Sequence, residues 1–159
     1  SGGDTRFVFR LFPNNKKTVL EWTTCKQKRH AYFVSVDAPR QQYLFLLQRI
    51  KDDFSRSTDI ASQEYHAQRK NNAALDRIYQ SYMVFIDAKI TELKAEALAE
   101  RGKMEQAHHL WDAATGLYTK LTTEEFAVSE YIVDNTKQAL SKIQGEQIRV
   151  FDQNIHNSN

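Results

Sequence analysis

The segment that most restricts what this chain can become is Ala95–Leu117, AEALAERGKMEQAHHLWDAATGL. It is made of good helix formers on both sides of one glycine, Gly102. After that glycine, Ala107, Leu110, Trp111 and Ala114 fall at i, i+3, i+4 and i+7, which puts one apolar stripe on one helical face. Gly102 suits the left-handed residue that closes a helix, because only glycine takes positive φ without strain. The spacing therefore predicts a helical hairpin, with small residues where the helices approach and one indole filling the remaining gap. Hairpins of this kind more often bind other macromolecules than carry chemistry.

The rest of the chain extends the helical pattern. Five Gly and two Pro in 159 residues leave little turn chemistry, which argues for long helices and against a turn-rich sandwich. With 41% apolar residues, the chain can bury a core as one compact unit. Asp37 is a suitable N-cap, with Pro39 in the first turn of a helix to about Phe54 that carries Tyr43, Leu46, Leu47, Ile50 and Phe54. A second helical stretch starts near Ile60 and strengthens from Leu75, through Ile78, Tyr79, Tyr82, Met83, Phe85, Ile86, Ile90 and Leu93. Its pattern allows either one helix continuous to Arg101 or a break at Asn71-Asn72. The next helix is Lys103–Lys120, with Gly116 a soft point inside it. Thr122-x-x-Glu125 has the form of a capping box. It would open a helix bearing Phe126, Tyr131, Ile132, Ala139, Leu140 and Ile143 and ending at Gly145, followed by a short last helix with Ile148, Val150, Phe151 and Ile155.

The front reads differently. In Arg6–Phe12 the apolar Phe7, Phe9 and Leu11 alternate with their neighbours; Thr18–Thr24 and Arg29–Val36 are rich in β-branched and aromatic residues. Pro13-Asn14-Asn15 and the polar run Cys25–Lys28 separate them, so a three-stranded antiparallel meander is expected. The predicted fold class is α+β: a basic β-meander over residues 1–36, a helical bundle over 37–155 that covers one face of the sheet, and a disordered tail over 156–159. Ser1-Gly2-Gly3 has neither Met nor a secretory apolar region and reads as an artificial remnant, outside the fold.

Charge is uneven. Residues 1–51 hold ten Lys/Arg and three Asp/Glu, a net +7; residues 52–159 hold twelve and seventeen, a net −5. Such a split suits either an anionic partner for the front or docking of the front on the acidic rear. Arg6, Arg10, Lys16, Lys17, Lys26, Lys28, Arg29 and Arg40 lie near strand ends and turns, with Trp22, Tyr32 and Phe33 interleaved. Repeated cations contact phosphates and aromatics stack on unpaired bases, so these eight residues are the candidate nucleic-acid surface. The competing reading is that the charges protect exposed strand edges.

Little else carries chemistry. Cys25 is the one cysteine, so no intramolecular disulfide forms, which fits a reducing compartment; with no base at a recognised spacing it reads as an ordinary thiol. Glu105, His108, His109 and Asp112 share one helix, and Glu105-x-x-His108 has the spacing of di-iron bundles. No second copy exists, so a solvated face is the better reading and neither a metal nor a cofactor is expected. There is no nucleophile elbow, P-loop or Gly-rich fingerprint. No apolar run is long enough to span a membrane.

Ala95-Glu96, Leu98, Gly102, Ala107, Leu110-Trp111 and Ala114, followed by Thr122-Thr123-Glu124-Glu125, resemble the core pattern of the small enterobacterial regulators of the PerC and ANR type. The tetratricopeptide half-repeat has nearly the same Gly-to-Ala spacing. The first resemblance implies a role in gene regulation, with Gly102, Ala107, Leu110 and Trp111 as shared structural positions. In that family, ANR members bind activators of the AraC type.

These readings converge on a non-enzymatic cytoplasmic regulatory or adaptor protein of bacterial or phage-like origin, able to oligomerise. It would bind another protein through a helical face with Tyr79, Tyr82, Leu110 and Trp111 as anchors, since aromatics dominate interface energies. Those aromatics at helical spacing equally suit a core. The alternative is nucleic-acid binding by the basic front.

Overall fold

The structure, a computed structural model, describes residues 10–11, 18–23, 29–33, 39–56, 63, 66–67, 69–126 and 130–157. Among the described residues four long helices dominate: α1, Arg40–Arg56; α2, Ala73–Glu100; α3, Met104–Lys120; and α4, Glu130–Asn157. The chain divides into two compact units, Ser1–Asp76 and Arg77–Asn159.

The fold class is all-α, which corrects the α+β expectation. Among residues whose side chains are described, 87% are helical and none lies in a strand. Every buried apolar side chain among them belongs to a helix or to Leu121, just after α3. Among the described residues of the front the backbone makes antiparallel pairings of Arg10–Leu11 and of Arg29–Phe33 with Thr18–Thr23, with an irregular register between Thr18 and Leu20. A three-stranded ribbon is stable only with a packed hydrophobic face, and the buried core among the described residues comes from the helices. The alternation in the sequence is real, but it does not decide the architecture.

In the first unit, α1 begins where the Pro39 carbonyl accepts the Gln42 and Tyr43 N–H groups at 3.1 and 3.2 Å, so Pro39 occupies the cap and not the first turn. Asp37, the expected cap, lies outside the described residues. Leu44, Leu47 and Ile50 form the buried row of α1, while Phe45 is 67% exposed. Of the two alternatives at Asn71-Asn72, the structure takes the break. A turn closes with Asn72 N–H on the Arg69 carbonyl, and α2 opens with Asp76 N–H on the Asn72 carbonyl. Asp76 sits in the first turn of α2, where a negative charge suits the helix dipole, and it holds Arg69 Nη1 at 2.8 Å.

The second unit is a bundle of α2, α3 and α4. Tyr82, Phe85, Ile86, Ala88, Ile90 and Ala95 bury more than one face of α2, as befits a helix with neighbours on several sides. The helix ends at Gly102, at φ +77°, with Lys103 N–H on the Leu98 carbonyl and Gly102 N–H on the Ala99 carbonyl. That pair of bonds is a Schellman motif, and it satisfies two carbonyls that the helix end would leave open. Ala107, Trp111, Ala114 and Tyr118 then form the buried row of α3. Ile132, Thr136, Ala139, Ile143 and Val150 form that of α4. The backbones of α3 and α4 approach one another closely, as small residues at 107, 114 and 139 permit.

Three expectations for the end of the chain are corrected. The Thr122 hydroxyl donates to the Thr119 carbonyl at 2.7 Å, and the Thr123 hydroxyl to that of Lys120 at 2.7 Å. The two threonines thus close the C-terminus of α3, whose last carbonyls lack partners, and the capping box at Thr122 does not form. Next, α4 runs through Gly145 without a break, because that glycine stays helical and Val150 beyond it is fully buried. Lastly, His156 and Asn157 continue α4 and so do not belong to a disordered tail; residues 158–159 lie outside the described set.

Candidate functional site

Trp111 is 1% exposed, Tyr82 4% and Tyr79 9%, and Leu110 is half-buried. The Trp111 row of α3 faces inward because Ala107, Ala114 and Tyr118 share its helical phase, and His108 covers the indole edge-on at 5.6 Å. The three aromatics expected as docking anchors are therefore core side chains. A partner reaches them only if the bundle opens.

The basic front is not assembled into a surface by the described residues. Arg6, Lys16, Lys17, Lys26 and Lys28 lie outside them, as does Cys25. The backbones of Arg10 and Arg29 are placed opposite Glu21 and Thr23. Arg40 starts α1 and already has an interaction partner. Glu105, His109 and Asp112 are exposed on α3, and Asp112 accepts Gln147 Nε2 at 2.9 Å. Among the described residues no group of three His, Cys, Asp or Glu side chains is arranged to hold a metal ion. No helix among them is long and apolar enough to cross a membrane.

The main polar cluster is one that sequence reasoning misses. Glu92 is 2% exposed. Its Oε1 accepts Tyr118 Oη at 2.6 Å and Lys89 Nζ at 3.2 Å. The Lys89 ammonium lies 5.9 Å from the Phe85 ring centroid and 5.7 Å from that of Tyr118, a cation–π arrangement on a partly dry seam. One turn on, Glu96 Oε1 holds Lys142 Nζ of α4 at 3.2 Å. Burial pulls the Lys142 pKa down, but the Glu96 charge and hydrogen bond, with the charges of Glu92 and Glu146, outweigh it and leave the pKa above 10.5. The signal in the sequence is positional. Glu92 stands in helical phase with Phe85, Ala88 and Ala95, where an apolar residue is expected. Chemically the cluster ties α2 to α3 and α4, and the buried carboxylate has its charge-assisted bonds.

What the molecule does offer is apolar surface. Among the described residues the exposed large apolar side chains are Phe45 on α1 and, at i, i+3 on α4, Ile148 and Phe151, 56% and 59% exposed. Their exposure comes from helical phase. Ile143 and Val150 turn inward, which leaves 148 and 151 on the outer flank beside exposed Gln144. The sequence suggests a separate short helix for both residues; the structure places them instead on a continuous 28-residue rod. Comparison with family models, with curated proteins and with solved structures yields no match to this chain.

Proposed function

We propose that this chain is a non-enzymatic binding protein of regulatory or adaptor type, which docks a protein partner on the outer flank of α4 around Ile148 and Phe151. The observation that carries the reading is the exposure of these two large apolar side chains, neighbours on one helical face. Covering a fully exposed Ile or Phe is worth about 1.5–3 kcal/mol, and two half-exposed ones together about as much. This replaces Tyr79, Tyr82 and Trp111 as the contact residues, while the helical-face principle stays. The resemblance of Ala95–Ala114 to PerC and ANR regulators supports a regulatory role, and the single cysteine goes with a cytoplasmic setting. No cofactor is needed.

The test is capture of partners from native lysate by the wild-type chain and by the double variant Ile148→Glu/Phe151→Glu. The same partner should be retained by the wild type and reduced at least about tenfold by the variant, with unchanged helicity. Equal retention by both would reject this face. Capture abolished by nuclease would favour nucleic-acid binding through the basic front instead.

A further inference from the structure

We draw no further inference here: the strongest candidate, the exposed apolar flank of α4 at Ile148 and Phe151, belongs to the site already described, and nothing in the structure shows what covers it.

Discussion

Gly102 and Glu92 mark the two extremes of what a single residue discloses. The left-handed turn at Gly102 is legible in the sequence because the requirement is local: a helix that must reverse needs positive φ, and one residue type takes it freely. A Cβ there meets nothing within 4 Å, so Gly102→Ala acts through backbone strain alone. It should cost about 1–2 kcal/mol in chemical denaturation. Glu92 is not legible, because burying a carboxylate depends on Tyr118, 26 residues away, and on Lys89. Tyr118→Phe removes a bond to a charged acceptor and should destabilise by about 1.5–3 kcal/mol. Thr136 makes the opposite case: its Oγ1 is buried with no partner among the described residues. Thr136→Val keeps the shape and deletes the stranded hydroxyl, so the melting temperature should hold or rise, by the equivalent of about 1 kcal/mol. A clear fall would mean that the hydroxyl is bonded after all.

At the scale of elements, the helices are legible where the period of apolar residues runs unbroken, as in α3 from Ala107 to Tyr118. Their ends are less so. Asn71-Asn72 stops a helix and Gly145 does not, yet both look like breakers in sequence. The difference lies five residues beyond the glycine, where Val150 returns to the core in phase with Ile143 and so holds α4 helical through position 145. This gives a direct check on α4. Gly145 is exposed and helical, with room for a Cβ. Gly145→Ala should therefore stabilise by about 0.5–1 kcal/mol. If the helix ended there, as the sequence suggests, with the glycine in a left-handed turn, the same substitution would destabilise. The Thr122 hydroxyl teaches a similar lesson. A capping box and a C-terminal closure use the same residue types, and only the placement of Thr119 decides between them.

For the whole molecule, alternation at the front suggests a sheet under a bundle, whereas the core among described residues is built by helices. Local period reports which backbone a segment favours, not which segments supply the core. The α2–α4 tie adds a pH dependence of known sign. Lys142 has a folded-state pKa raised above 10.5, so its contribution is full below 10.5 and is lost as pH rises through the raised value. Melting temperatures tracked from neutral to strongly alkaline pH should fall at the alkaline end, and less so in Lys142→Gln. The effect should be small and weakened by salt, since the lysine side chain is 61% exposed. The candidate site is less legible than the fold. Trp111 and the tyrosines have the composition of an interface but the helical phase of a core, and which surface remains exposed is known only once α4 is one continuous rod. That surface carries the central claim, and the salt dependence of partner affinity tests it most directly. Docking on Ile148 and Phe151 predicts an affinity nearly flat between low and high salt; a steep log-linear fall, as when cations release counterions from phosphates, would contradict it.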